Sequence, residues 1–509
     1  MLEGARILSV ACLTQQVYSH ARFNSQLRHE YQSSPGHLGP QTLPHAHLVT
    51  PEAAEEYQSL NNSYLSGFES DLSPSCIFLP RSKEEVAAFV RTIQPFVGDV
   101  QFAIRAAGRQ PLPGCANIQD GITVDLRSLK GIDIQDGHVQ IAAGELWGSV
   151  YEHLEPHGLG VTGGKSTTCG IGGLATEGGL SLYSTREGFI CDNVVNFEVV
   201  VASGEILNAN SQENSDLWVA LRGGGNNLGI VTRFDLRTFK QGPMYAGMVW
   251  YYKPSFPDQM AALVKELTSP GASVETHLML SIAYAQVFNN GNDVVCLNQL
   301  YYTQPVQDPP ALAPFTHIQP QRAEMNTMKI QTLVQAATEQ SSAGQSMIRC
   351  LYMNVSVKAD IETLTTGGDI WCEELESIKD AAGLMCSYTL QPYAVSLLKK
   401  TSANGGNVLG LDPSNGPVVN VLLLTYWAEK RDDERVIGFM QRALKRIEQN
   451  ADAKGQLVPY IYWNYAFSHQ DALRSYGEEN MHKLQEASKK YDPNGMFQTA
   501  CPGGFKLFK

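Results

Sequence analysis

Two glycine-rich stretches carry residues that do chemistry by exposing backbone. One is Gly163–Gly179, GGKSTTCGIGGLATEGG; the other is Ile104–Asn117, IRAAGRQPLPGCAN. Glycine lets main-chain N–H groups approach oxygen atoms with no Cβ in the way. Neither stretch fits the GxxxxGK[ST] phosphate loop, and neither is a GxGxxG opening a helix. Two such loops, far apart in the chain, predict a long phosphate-bearing ligand held along its length. A third stretch, Tyr460–Ala466 (YIYWNYA), gathers aromatic rings and phenols. A buried tyrosine needs a partner for its OH, and a ligand oxygen can be that partner. Candidates for proton transfer lie elsewhere. Glu177, in the first loop, is either an acid or a loop-capping carboxylate. His277, Tyr284, Tyr352, Asn354, Gln391 and Tyr426 fall inside strand-like runs. Any of these six that faces a pocket is a candidate base, although a lone histidine in a strand is more often structural.

The elements that must position these residues are legible as periodicities. Lys83–Gln94 places Val86, Phe89, Val90 and Ile93 at helical spacing. Phe102–Arg105, Ile122–Leu126 and Val139–Ala142 read as short strands, and Ser149–His157 as a helix ended by proline and glycine. Val194–Val201 and Glu205–Asn208 form a hairpin around Ser203–Gly204, followed by a strand at Ile230–Thr238. Beyond Gly242–Pro243 longer strands begin: Ala246–Tyr252, His277–Ala285, Val294–Tyr302, Ile348–Val357, Ser387–Leu390 and Val418–Trp427. Amphipathic helices at Pro257–Leu267 and Asp432–Asn450 lie between them. Helices on one side of a sheet leave its other face free for a ligand, so the expected class is α+β. Residues 1–70 are polar and rich in Ser, His, Gln and Pro, and read as an irregular arm.

Bulk properties narrow the function. A chain of 509 residues is too long for one core. Net charge is −13 with no basic run, which argues against nucleic acid as a partner. No run of 18 apolar residues occurs, so no membrane-spanning helix is predicted. The short apolar stretch Ala5–Leu13 leaves localisation open between cytoplasm, which is favoured, and secretion. The ten cysteines lack CxxC or CxxxC spacing, so no metal site is expected. Asn61 and Asn354 each begin an N-x-S triplet. No motif sets an oligomeric state.

The run Asp192–Phe239, with Pro74–Val86 (PSCIFLPRSKEEV), Gly121–Leu126, Gly405–Asp412 and Tyr491–Phe497 (YDPNGMF), resembles the berberine-bridge-enzyme-like FAD-linked oxidoreductases. These belong to the vanillyl-alcohol oxidase and p-cresol methylhydroxylase (PCMH) superfamily, and the likeness is to members from fungal secondary metabolism. The resemblance implies an FAD-binding PCMH-type domain over residues 71–243 and a substrate domain over 244–455, an antiparallel sheet backed by helices. Residues 456–509 return to the FAD domain. It implies that the loop from Ala107 and Gly108 through Gln110 to Gly114 cradles the pyrophosphate, with Arg109 a cation near the pyrophosphate or the isoalloxazine. Ser166, Cys169, Gly170, Gly172, Gly173 and Gly178 would pass close to the ring and ribityl chain, and Gly229 and Val231 would meet the adenine end. Asn464 would bond the flavin edge, and Tyr465 would stand at its substrate face. Cys12 would pair with Cys76 if the chain is exported.

Relatives with tethered flavin carry a histidine where this chain has Arg109 and a cysteine where it has Ser166. Arginine is a permanently charged guanidinium and serine a poor nucleophile, so FAD is expected to be non-covalent. Cys169, directly before the glycines, reads as a small apolar filler. The implied reaction is oxidation of a hydrophobic natural-product intermediate, such as a phenol, an alcohol or a C–H beside nitrogen. Hydride passes to flavin N5, and O2 reoxidises the flavin to give hydrogen peroxide. Tyr465, Glu177, His277 and Gln391 are the catalytic candidates. The alternative is a non-redox isomerase or cyclase in which FAD is structural or electrostatic.

Overall fold

The computed structural model describes residues 47–287, 294–341 and 349–508. Three sheets account for the strand-like runs within them. In the first, Cys76–Leu79 and Phe102–Arg105 flank Ile122–Asp125 in parallel, and His47–Val49 adds an antiparallel edge. Parallel strands are covered on both faces, hence their short and mostly apolar sequence; the charged Arg105 and Asp125 at their ends are fully buried and lie 3.7 Å apart. Helix Lys83–Ile93 covers one face. Its first turn is capped by Ser82, whose hydroxyl accepts from Glu85 N–H. Phe89 stacks on Phe78 at 5.3 Å and meets Phe102 edge-on at 5.4 Å.

Residues 47–70 depart from the irregular arm read in the sequence. They supply the edge strand and the helices Ala54–Asn61 and Gly67–Ser70. Their polar composition hid this, because the order comes from long-range partners. Asn61 donates to the Ser70 and Leu72 carbonyls, and the Arg105 guanidinium caps the Leu60 and Ser63 carbonyls. Asn61 and Asn354 are both buried, so neither N-x-S triplet is open to modification in the folded chain. Cys12 lies outside the described residues. Cys76 is buried, and burial pushes its thiol up to about 12.

The second sheet runs Ile132–Gln135, His138–Ala142, Ile230–Lys240, Val194–Val200, Ile206–Asn210, all antiparallel, with Leu159–Val161 on the far end of Ile230–Lys240. The two glycine-rich loops lie beside these first two sheets. The chain end packs there too. Phe102 N–H donates to Ala500 O at 2.7 Å, and a Cβ at Gly503 would lie 1.9 Å from Gly114 O. That contact is possible only backbone to backbone.

The third sheet has eight antiparallel strands; its centre is Val294–Tyr302, Thr276–Ala285, Met385–Tyr393, Val418–Trp427 and Arg349–Lys358. Period-2 alternation gives each strand two faces. On one face Gly367 and Gly368, mid-helix in Ile361–Leu375, sit against Tyr388 and Ile282: added Cβ atoms would lie 2.6 Å and 2.9 Å from them. Two adjacent glycines let the helix lie flat on the sheet. Helices Phe256–Thr268 and Asp433–Ala453 pack beside it. The opposite face, bearing Met279, Ser281, Ala283, Ser387, Thr389 and Gln391, turns toward the glycine loops, and helix Leu333–Ser341 meets it at one side, where Gln299 Nε2 donates to Gln340 Oε1 at 3.0 Å. Among the described residues no helix is long and apolar enough to cross a membrane.

Candidate active site

A cavity of about 510 Å³ runs from the two glycine loops to the face of the third sheet that bears Met279, Ser281 and Gln391. At the loop end Gly170 and Gly172 press against Ala107 and Ala106; Cβ atoms there would lie 2.8 Å and 2.9 Å from the alanine Cβ atoms. The loops thus meet backbone to backbone, and main-chain groups line the cavity floor. The first loop is fixed by Glu69, whose carboxyl accepts from Gly114 N–H (3.2 Å) and Ala116 N–H (2.8 Å). The second is fixed from beneath by Trp147, on which Gly163 and Gly164 lie, and by Ser341. The Ser341 hydroxyl meets Ser166 Oγ, Thr167 N–H and Thr167 Oγ1 within 2.9 Å.

Most residues predicted to hold a cofactor line this cavity: Ala107, Gly108, Arg109, Gln110, Ser166, Cys169, Gly170, Gly172, Gly173, Gly229, Val231, Asn464 and Tyr465. Gly114 and Gly178 do not. Gly114 belongs to the loop's anchor on Glu69. Gly178, at φ +108°, turns the chain beneath Leu409 and Tyr462. Two side-chain atoms are buried at the cavity without a hydrogen-bond partner, Arg109 Nε and Asn464 Oδ1. One donor and one acceptor awaiting partners, above a floor of exposed backbone, fit a dinucleotide carrying phosphate and ring oxygens.

Asn464 and Tyr465 occupy the short turn Trp463–Tyr465. A buried amide network carries that turn on the sheet. Asn354 Nδ2 donates to Tyr462 O (3.0 Å), and Tyr462 N–H donates back to Asn354 Oδ1 (2.9 Å). Asn420 and Gln470 complete the clamp. Asn354 is therefore a positioning residue. Asn464 Nδ2 donates to Glu177 Oε2 at 2.7 Å. Burial with no nearby cation pushes the Glu177 carboxyl well above the usual range, so it stays a neutral acid.

The catalytic candidates separate on geometry. Gln391 reaches into the cavity, and its Nε2 donates to Tyr465 OH at 3.0 Å. Tyr352 and Tyr426 line the same wall with their hydroxyls 3.3 Å apart. Tyr284 turns its hydroxyl to Lys379 O on the helical side. His277 does not line the cavity. It is fully enclosed beside Tyr301, its Nε2 has no partner, and burial drives its imidazole well below the usual range.

One residue at the centre was not singled out from the sequence. Lys165 extends from the second loop across to the sheet. Its Nζ donates to Gln391 Oε1, lies 3.2 Å from Met279 Sδ and is 3.4 Å from Tyr465 OH. Its remaining exposure is to the cavity, and burial lowers its ammonium to about 7. The available signal was a lone cation in the otherwise neutral run GGKSTTCGIGG. A ladder of hydroxyls, Ser281 to Thr389 (2.8 Å) to Ser387 (2.9 Å), continues along the wall from Gln391.

The fold and this cradle define a flavin-domain protein. Residues 74–210 match the FAD binding domain family. The backbone superposes on 6-hydroxy-D-nicotine oxidase from Arthrobacter nicotinovorans (TM-score 0.72, 16% identity, 91% of this chain and 98% of that one). It also superposes on berberine bridge enzyme from Eschscholzia californica (TM-score 0.68, 17% identity, 89% and 95%). At such identities the likeness is one of fold. Sequence similarity goes further. The FAD-dependent monooxygenase drtC of Aspergillus calidoustus is 32% identical over 89% of this chain and 86% of its own length. CTB5 of Cercospora nicotianae, also named an FAD-dependent monooxygenase, is 32% identical over 87% and 99%. The chain belongs to the same family as these FAD-dependent monooxygenases.

Proposed function

We propose that the protein uses FAD to oxidise a hydrophobic, oxygen-bearing small molecule, with O2 as the final electron acceptor. The observation that carries this is the continuity of one cavity from the glycine-loop cradle to a sheet wall bearing Tyr465, Gln391 and Lys165. Bound FAD supplies a hydride acceptor and, once reduced, electrons for oxygen. The chain's own residues do the rest. Arg109 and the backbone of the Ala106–Gln110 and Gly170–Gly173 segments hold the cofactor's phosphates and ring oxygens. Glu177, as a neutral acid bonded to Asn464, keeps that amide aimed at the cradle. Met248, Trp250, Leu297, Leu422 and Leu424 exclude water from the substrate side. Tyr465, held by Gln391, orients the reacting oxygen.

Anaerobic mixing with substrate should bleach the flavin absorbance, and admitting O2 should restore it. Turnover with no bleaching and no oxygen uptake would move the reading to non-redox isomerisation or cyclisation. Isotopically labelled O2 then separates an oxidase from a monooxygenase, because only the latter places the label in product.

The flavin is untethered in this reading, because the chain has Arg109 and Ser166 where tethered relatives carry histidine and cysteine. Cys169 lines the cavity, but burial raises its thiol, and a thiol is a weak nucleophile. Acid precipitation is expected to leave a yellow supernatant and a colourless pellet. A yellow pellet would mean a covalent bond.

A further inference from the structure

We infer that the substrate is an acidic phenol or enol bound as its oxyanion against the Lys165 ammonium. This rests on the oxidation proposed above and names the substrate class for that site. Lys165 starts in the cradle loop, yet its Nζ leaves the cradle for the sheet wall, where Met279 Sδ, Gln391 Oε1 and Tyr465 OH are its contacts. All three are neutral. Among the described residues no carboxylate pairs with Lys165. A buried cation without a counter-charge is costly to hold, and a ligand anion removes that cost. A protonated amine would instead add a second cation beside the first.

The surrounding elements leave Lys165 as the group that titrates near neutrality. Tyr465, on the C-terminal turn, is pushed up to about 12 by burial. Cys169, on the same loop, is raised by burial, and His277, on the adjacent strand, is lowered by it. Arg109, across Cys169, brings a guanidinium to the cradle end of the cavity. The chemical step is a proton transfer. The substrate O–H bond breaks, an N–H bond forms on Lys165, and the electron pair stays on oxygen. No oxidant enters this step. The hydroxyl ladder of Thr389, Ser281 and Ser387 begins one side-chain repeat along the strand from Gln391, roughly 7 Å away. It offers donors to a second oxygen of the same molecule.

The test uses the FAD-loaded protein and 4-nitrophenol, whose own pKa lies near neutrality and whose phenolate has a separate absorption band. The neutral isostere 4-nitroanisole is the control. At a pH below the free phenol's pKa, the difference spectrum on binding should be that of the phenolate. Affinity should exceed that for 4-nitroanisole by at least about tenfold. It should also be bell-shaped in pH. Below about 7 the ammonium is already formed and the phenol must lose its proton to solvent; above it both partners have lost protons and one must be regained. Each arm falls about tenfold per pH unit. Lys165→Met should abolish the phenolate band and the preference over 4-nitroanisole, while 4-nitroanisole binds within about threefold of wild type. Lys165→Arg, permanently charged, should keep the band and turn the bell into a rise to a plateau. Binding as the neutral phenol, no binding, or a phenolate band that survives Lys165→Met would overturn the inference. A preparation that folds but retains no FAD would instead overturn the proposed function, so the two failures are distinguishable.

Discussion

Tyr465→Phe is expected to slow substrate-dependent flavin bleaching by about 10²- to 10³-fold, the size of effect seen when one preorganised donor is removed. The substitution isolates a single hydroxyl. The Tyr465 ring meets Tyr462 edge-on at 4.8 Å and Tyr352 at 5.7 Å, and phenylalanine preserves both contacts. What is lost is the oxygen that receives Gln391 Nε2 and faces Lys165 Nζ. A substrate oxygen placed there would lose a partner fixed before binding. Stopped-flow reduction under anaerobic conditions reads the chemical step directly. The binding constant should change less than the rate does, because the hydroxyl orients the reacting group more than it holds the molecule. Reduction within a fewfold of wild type would remove Tyr465 from the chemistry.

Glu69→Ala is expected to destabilise the flavin lobe by about 3–5 kcal/mol and to strip it of FAD. Glu69 is fully buried, and its carboxyl is the acceptor for the Gly114 and Ala116 N–H groups. Alanine orphans both donors at about 1–3 kcal/mol each and leaves a void besides. The damage falls on the loop that carries Ala107 to Gln110, so cofactor retention should fail with stability. Thermal unfolding and the ratio of flavin to protein absorbance measure the two together. A variant with wild-type stability and full flavin would refute the anchoring role.

The same residue gives a pH signature. Desolvation outweighs the N–H donors and raises the Glu69 carboxyl from 4.5 to about 7. A raised acid binds a proton more readily in the folded state than in the unfolded one. Its stabilising contribution is therefore complete below about 4.5 and is lost as pH rises through about 7. Lobe stability should decline across that interval in the wild type. Glu69→Gln, which does not titrate, should flatten the decline.

The local elements were legible because each rests on near neighbours. The strand at Val294–Tyr302 and the helix from Lys83 follow from side-chain periods of 2 and 3.6, which any window of the chain exposes. The glycine loops were legible for the same reason: the absence of a Cβ is a property of the residue itself. The Asn464–Tyr465 turn carried its aromatic signal in seven consecutive residues. Residues 47–70 were not legible, because their order comes from Arg105, Asn117 and the sheet edge, all distant in sequence.

Alternation alone determined that His277, Tyr352 and Gln391 each lie on one of two strand faces. It did not determine which face the Ile361–Leu375 helix covers or how far along the sheet the cavity reaches. Packing of Gly367 and Gly368 on Tyr388 and Ile282 decided the first. The seat of the Tyr462 turn on Asn354 bears on the second, because it sets Tyr465 against Gln391; Gln391 lines the cavity and His277 does not. Lys165 shows the division most sharply. Its sequence context fixed only that a cation follows two glycines. Its chemistry arises because a loop anchored on Trp147 and Ser341 meets a strand more than two hundred residues away, which desolvates the amine beside neutral partners and away from any carboxylate among the described residues. Desolvation is a property of the assembled surroundings, and no stretch of chain encodes it alone.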